Sequence, residues 1–168
     1  MDVRIPSKKI QEGIEYSLEK SAQHLTGAEA CLSKGILDGA VALIEYAVEE
    51  FGRAVALREK LETGSEEVER ELFSSHEYKY EKAWTVLPQE LKTIYEGTFD
   101  VAVFDEAVFD VGKESISPRV RLDAIFVNYD ETNDKWKIGI RADKHKLKRL
   151  IEGIKQCIND FEFLNKVT

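Results

Sequence analysis

"ILDGAVALIEYAVEEFGRAVALREKLE", Ile36 to Glu62, decides the fold. Leu37, Ala40, Val41, Leu43, Ile44, Ala47, Val48, Phe51, Val55, Leu57 and Leu61 wrap around more than one helical face. A helix this apolar is central in a bundle, because it needs neighbours on several sides. Polar residues interrupt it in one register. Glu45, Glu49 and Arg53 stand four apart and share a face, with Glu50 three before Arg53. One account is a row of ion pairs within the helix, each contributing about 0.3–0.5 kcal/mol if exposed. The other is that a carboxylate on a central helix takes a partner from elsewhere, with His24 and His76 as candidates. Gly52 inside the helix costs about 1 kcal/mol against Ala, which predicts close approach of another backbone or helix there.

Upstream, Ile10, Ile14, Leu18, Ala22, Leu25, Ala28 and Leu32 recur at steps of three and four. They predict a helix over 7–34, with Ser7 as its N-cap and Gly35 as its stop. The short joint at Gly35 makes the two long helices antiparallel neighbours.

Downstream, Thr63-Gly64-Ser65 breaks the pattern and a short helix is expected over about 66–73. In "RELFSSHEYKYEKA", Arg70 to Ala83, Ser74 and Glu77 have the spacing of a capping box. They predict a fresh helix start, with His76 in its first turn and an end near Leu87. Pro88 opens a further segment that ends near Gly97. Phe-Asp recurs at Phe99-Asp100, Phe104-Asp105 and Phe109-Asp110. A five-residue step suits neither helix nor strand and does not converge the carboxylates on a metal, so the phenylalanines are expected to pack. "RVRLDAIFVNYDETNDKWKIG" reads as a β-hairpin, with Val120, Leu122, Ile125, Val127 and Tyr129 before the "DETND" turn and Trp136 and Ile138 after it. Leu147, Leu150, Ile151, Ile154, Ile158, Phe161 and Leu164 mark a final helix over about 143–165.

The chain of 168 residues suits a single domain, 1–168, with one core. A formal charge of −8 argues against a broad basic surface for duplex nucleic acid but leaves room for a local basic pocket. From residue 141 onward seven Lys/Arg face four Asp/Glu, a local +3, so the rest carries −11. Cys31 and Cys157, far apart on amphipathic patterns, read as reduced thiols of a cytoplasmic protein rather than a disulfide. No apolar run reaches the length of a membrane span, and the first residues do not read as a secretory leader. No Glu-x-x-His occurs, which excludes a di-iron bundle of that type. No cofactor and no metal is assigned.

The order of "AVEEFGRA", "SSHEYKYEKA" and "RLDAIFVNYD…KW" resembles the AbiV-type abortive-infection proteins, a branch of the HEPN superfamily. The family's Glu-Glu-x-Gly-Lys reads Glu49-Glu50-Phe51-Gly52-Arg53, with Arg for Lys. Its His-x-x-Lys reads His76-Glu77-Tyr78-Lys79, and its arginine before an apolar strand falls at Arg121 to Val127. The resemblance runs from about Ala22 to the last helix. It implies a mainly α fold, an antiparallel HEPN-like helical bundle with a small β-hairpin before the last helix, forming a homodimer in defence against phage. Many HEPN proteins are metal-independent ribonucleases marked by an arginine and, four to six residues on, a histidine. Arg70 and His76 have that spacing, although Glu71 stands where Asn, Asp or His is usual.

In an unbroken helix Arg70 and His76 would point about 240° apart. A break at the serines frees them to meet over one phosphate. His76 at a helix N-terminus is expected to stay neutral in the positive field there. It would act as base on a ribose 2′-hydroxyl, with Arg70 and Lys79 stabilising the phosphate and Glu49 or Glu50 orienting a cation. The blander account makes His76 a helix-start residue bonded to Glu49 or Glu50, with Arg70, Lys79 and Lys82 as solvated charges. The function readings are then an RNA-directed defence effector, a non-catalytic module that binds a protein partner, and nucleotide binding at the His76 helix end.

Overall fold

A computed structural model describes residues 2–98, 127–130, 135–138 and 142–167. The described elements run β1 (Val3–Arg4), α1 (Ser7–Ser33), α2 (Leu37–Glu62), β2 (Glu67–Val68), α3 (Glu71–Ser74), α4 (His76–Val86), α5 (Gln89–Thr98), β3 (Val127–Asp130), β4 (Lys135–Ile138) and α6 (Lys144–Val167). The molecule is mainly helical, with a small antiparallel hairpin before the last helix. In that hairpin Val127 faces Ile138 and Tyr129 faces Trp136.

α2 is the central helix. Its buried residues include Ala40, Val41, Ile44, Glu45, Ala47, Val48, Glu49, Phe51, Gly52, Ala54, Val55 and Leu57, which leaves little of its circumference to water. α1 lies antiparallel to it. Gly13 meets Leu57, Ser21 Oγ donates to Ala47 O at 2.7 Å, and Gly27 meets Leu43. As the α1 number rises the α2 number falls. Both long helices stop in the same way. Gly35 and Gly64 take φ of +74° and +66°. The amides that follow, of Ile36 and Ser65, reach back to Cys31 O and Lys60 O. Such a left-handed residue closes the last turn, and glycine takes it without a Cβ penalty.

α6 covers the remaining side. Phe161 meets Phe51 edge-on, Lys155 pairs with Glu29 of α1 at 2.6 Å, and Leu91 of α5 presses on Gly153. Asp143 caps α6, accepting from His145 N and Lys146 N, and these bonds hold its carboxyl below the usual range. Cys31 and Cys157 are free, half-buried thiols, and burial pushes Cys157 up. Among the described residues no helix is long and apolar enough to cross a membrane.

Three local expectations are corrected. The segment from Glu66 is not a helix. Glu67–Val68 pairs antiparallel with Val3–Arg4, and only Glu71–Ser74 is helical. α1 has no side-chain cap from Ser7. Pro6 holds the cap position, and Ser7 N donates to Glu66 Oε1 at 3.4 Å. The cap of α4 is Ser75 rather than Ser74. The Phe-Asp recurrences at 99–110, Arg121, the first part of the expected hairpin and most of its turn lie outside the described residues.

Candidate functional site

Residues Lys79 to Ala83 of α4 lie against α2 at Gly52. A Cβ built on Gly52 would stand 1.8 Å from Lys79 O and 3.0 Å from Ala83 N. Backbone meets backbone here, and only glycine allows it. The close approach expected from the sequence is this crossing. It sets the first turn of α4 beside Glu49, one helical turn before Gly52.

That first turn is built by Ser75. Its backbone is extended (φ −101°, ψ 120°), and its Oγ accepts from Tyr78 N at 3.1 Å. Ser74 turns the other way and donates to Arg70 O. The chain therefore breaks between α3 and α4, and His76 is the first residue of the new helix. His76 and Lys79, three apart, share a face. His76 Nδ1 bonds Glu49 Oε1, and Lys79 Nζ lies 3.5 Å from the same oxygen. The Glu49 and Lys79 side chains are each only 4% exposed, whereas that of His76 is 47% exposed. A buried carboxylate is thus met by two cationic or proton-bearing groups, one interior and one at the surface. A turn earlier on α2, buried Glu45 receives the Tyr80 hydroxyl at 2.6 Å. Tyr80 OH is also 3.1 Å from the Glu45 carbonyl.

The other expected residues lie differently. Glu50 is paired within its own helix with Arg53 at 2.8 Å, so it does not join His76. His24 stacks on Tyr46 at 5.5 Å, away from Glu49, and burial followed by Lys20 lowers its pKa. Arg70 is exposed, just before α3, and its side chain makes no ion pair with the described residues. Its backbone is nonetheless held. On one side Glu69 binds Lys60 of α2 at 2.5 Å and lies 3.4 Å from Tyr78 OH. On the other, Leu72 is buried in the core. Burial alone would raise the Glu69 carboxyl, but Lys60 and its other hydrogen bonds bring it below its ordinary value. Burial, then Glu69 and Glu59, push the Tyr78 phenol up to about 12. Lys82 bonds Glu59 and sits 5.7 Å from the Tyr78 ring centre.

Lys79 is the residue that sequence reasoning placed least well, as a surface lysine. A signal existed: Lys79, Ala83 and Leu87 form one i, i+4 stripe, and the other two are apolar. Among the described residues no three His, Cys, Asp or Glu side chains gather as a metal site would require.

The HEPN_AbiV family model, described as AbiV, matches residues 9–158. That range holds nearly all of α1, the whole of α2 and α4, and the Glu49–His76–Lys79 cluster. The chain belongs to the AbiV family. No curated protein and no solved structure matches it.

Proposed function

We propose that this AbiV-family chain is a defence effector that cleaves RNA without a metal, using His76 as general base. The observation that carries the reading is the bond from the buried Glu49 carboxylate to Nδ1 of a half-exposed imidazole. A neutral ring that donates from Nδ1 carries its lone pair on Nε2, and a carboxylate partner fixes that tautomer and orientation. It also stabilises the imidazolium once the proton is taken. Lys79 serves as a positioning residue, since it is buried against Glu49 and holds that side chain in place.

The step is an internal displacement. His76 takes the proton of a ribose 2′-hydroxyl. The 2′-oxygen forms a bond to the adjacent phosphorus, and the bond from phosphorus to the 5′-oxygen breaks. The products are a 2′,3′-cyclic phosphate and a 5′-oxygen that takes a proton from the imidazolium or from water. Arg70, exposed across the Ser75 break, is the cation assigned to the charged phosphate.

The test is cleavage of a labelled single-stranded RNA in the presence of a chelator, with variants matched for melting temperature. His76→Ala is expected to lose at least about a hundredfold in rate, the usual share of a general base. Arg70→Ala is expected to lose activity without losing stability. Equal cleavage by wild type and His76→Ala overturns the mechanism.

A second reading has its own support. The Glu49–His76–Lys79 cluster sits at the Gly52 contact, where it also fastens α4 to α2. If that is its whole task, the protein is a non-catalytic module that binds a protein partner, and His76→Ala changes stability with no RNA cleavage to lose.

A further inference from the structure

We propose that the first two turns of α6 form a docking surface for the phosphate backbone of RNA, apart from the reacting site. The inference rests on the RNA reading above for the identity of the polyanion, and it names where the strand is held away from the bond that is cut.

Residues 144–149 read Lys-His-Lys-Leu-Lys-Arg, with four positive charges and no negative one. The chain has a formal charge of −8, so the rest carries −12. The helix turns this run into a face. Leu147, Leu150, Ile151 and Ile154 are buried and hold α6 on the core. Lys144, His145, Lys148 and Arg149 are exposed. Lys144 and Lys148 stand four apart, as do His145 and Arg149, so the four lie in two adjacent rows on the side away from the core. Lys146 is half-buried and is not part of the surface.

Folding does not call for this arrangement. Lys144 and Lys148 repel each other at their spacing. Cations in a first turn oppose the helix dipole, and the first turn of α6 contains no acidic residue. Lys148 pairs with Glu152 at 3.7 Å and Arg149 with Glu90 at 2.8 Å, but both pairs are exposed at both ends and such pairs add little. A polyanion relieves the repulsion that the fold leaves in place.

The surface lies at a distance from His76. Lys155 pairs with Glu29 of α1, and Phe161 meets Phe51 of α2, between the α2 residues that reach Ser21 and Gly13 of α1. α6 therefore runs antiparallel to α1, and its first turns point toward the Gly35 end of the bundle. Glu49, two residues before Phe51, is nearer the Phe161 end. The twelve residues from Arg149 to Phe161 span about 18 Å. That exceeds the screening length of about 8 Å at physiological ionic strength. The basic face therefore acts on a strand longer than the reacting dinucleotide, and the acidic remainder of the chain does not cancel it.

Its composition suits phosphate rather than protein. The large exposed hydrophobic residues among those described are Val3, Tyr16, Ile36, Phe73 and Val86, none of them on α6. A protein interface has an apolar centre. Contacts from Lys and Arg to a nucleic-acid backbone need none, and they carry no sequence information.

The test uses a single-stranded, fully 2′-O-methylated RNA of about twenty nucleotides, which binds without being cut. Affinity is read by fluorescence anisotropy over a range of salt concentrations. Lys144→Gln, Lys148→Gln and Arg149→Gln are combined in one variant. Its log–log salt slope should be shallower by about 2, since each single-strand phosphate contributes about −0.7. Lys144→Gln with Lys148→Gln alone keeps the Glu90 pair and should give a change of about 1. A control with Lys8→Gln, Lys9→Gln and Lys20→Gln on α1, equal in charge, should keep the wild-type slope. All are exposed, so melting temperatures should agree. The triple α6 variant should also raise KM for a long RNA and leave cleavage of a dinucleotide unchanged. An unchanged slope overturns the inference, as does an equal change in the α1 control or no RNA binding by the wild type. Competition by polyglutamate as strong as by RNA also overturns it, because the partner is then an acidic polypeptide. The underlying reading fails separately. If the slope changes as expected but no RNA is ever cut, the nuclease falls and the docking surface stands. If His76 controls cleavage and the triple variant leaves KM for long RNA unchanged, only the docking surface falls.

Discussion

α2 has two long contacts, and they are made of different materials. Against α1 it presents a seam of small and aliphatic side chains, where Gly13 meets Leu57, Gly27 meets Leu43 and Gly39 meets Cys31. A neutral hydrogen bond crosses it from Ser21 to Ala47 O, and the His24 imidazole stacks on Tyr46. Against α4 it presents a backbone contact at Gly52 flanked by buried charge: Glu45 with Tyr80, and Glu49 with His76 and Lys79. A seam of the first kind obtains most of its stability from apolar burial. A crossing of the second kind must desolvate ions, and replacing a buried ion pair by apolar residues is often neutral or stabilising. The proposed function gives these charges a task, the orienting of an imidazole, which burial energy does not require. The contrast teaches that buried ionisable groups gather at one of the two contacts and aliphatic packing at the other.

The largest expected break in the contrast is Gly52→Ala. The added methyl would overlap Lys79 O, a backbone atom that cannot rotate aside, so α4 must move as a unit. We expect a loss of more than about 3 kcal/mol, above the common range for overpacking. Gly27→Ala on the other seam meets only the tip of Leu43, at 3.1 Å. There the helix propensity gain of about 1 kcal/mol opposes a small shift, and the net change should be under about 1 kcal/mol. Urea unfolding of both variants gives the comparison. A tolerated Gly52→Ala would mean that the crossing is not as tight as described.

The two contacts also differed in how well they could be read from the sequence. The α1–α2 seam was legible because its residues repeat at helical steps and Gly35 marks the turn. The α2–α4 crossing was legible in outline, from an out-of-place Gly52 and from carboxylates on an apolar helix. Its details were not. Ser74 and Ser75 both satisfy the local chemistry of a cap, and the Ser74–Glu77 spacing pointed to the wrong one. The cap needs an acceptor for the amide three residues on, which Ser75 supplies to Tyr78 without any glutamate. The strand pair Glu67–Val68 with Val3–Arg4 was invisible, because it joins segments more than sixty residues apart and no local pattern reports such a partner. Lys79 was misjudged because lysine is rarely buried. The Glu49 carboxylate on another helix helps account for its position. The pairing of His76 with Glu49 could be named as one of two alternatives, but sequence could not choose it over Glu50. The choice depends on rotation about α2, where Glu50 turns to Arg53 instead.

Next in size is the removal of charge from the crossing. Glu49→Leu leaves the Lys79 ammonium in its buried place without the Glu49 carboxylate, and breaking such a pair costs about 3–5 kcal/mol. Glu49→Leu combined with Lys79→Met should recover most of that loss. RNA cleavage should stay absent in both, since the imidazole has lost its orienting partner. A double-mutant cycle in urea, with activity measured in parallel, separates the two outcomes. If the apolar pair restores stability and activity together, the carboxylate is not what prepares His76. On the seam, Ser21→Ala removes a neutral bond and should cost only about 1 kcal/mol.

The smallest expected effects are in pH dependence, and they also divide between the two contacts. His24, stacked on Tyr46 at the α1–α2 seam, has its pKa lowered by burial. In the unfolded chain it takes up a proton near its ordinary value of 6.5, before the folded chain does. The unfolded state then binds more protons, so this stability is complete above about pH 6.5 and falls as the pH drops below it. Tyr78, at the α4 side, has the opposite sign. Its phenol ionises near 10 when unfolded and is pushed up to about 12 when folded. Between those values the folded state holds the extra proton, so stability is complete below pH 10 and declines as the pH rises toward 12. Melting temperature against pH should therefore show His24→Phe with a flatter acid limb and an unchanged alkaline limb, and Tyr78→Phe with the reverse. Both side chains are partly exposed, so solvent and salt screening reduce each effect to a few degrees at most. If either substitution flattens both limbs, the two contacts share one unfolding unit more closely than their different chemistry suggests, and the division between a structural seam and a functional crossing would have to be drawn elsewhere.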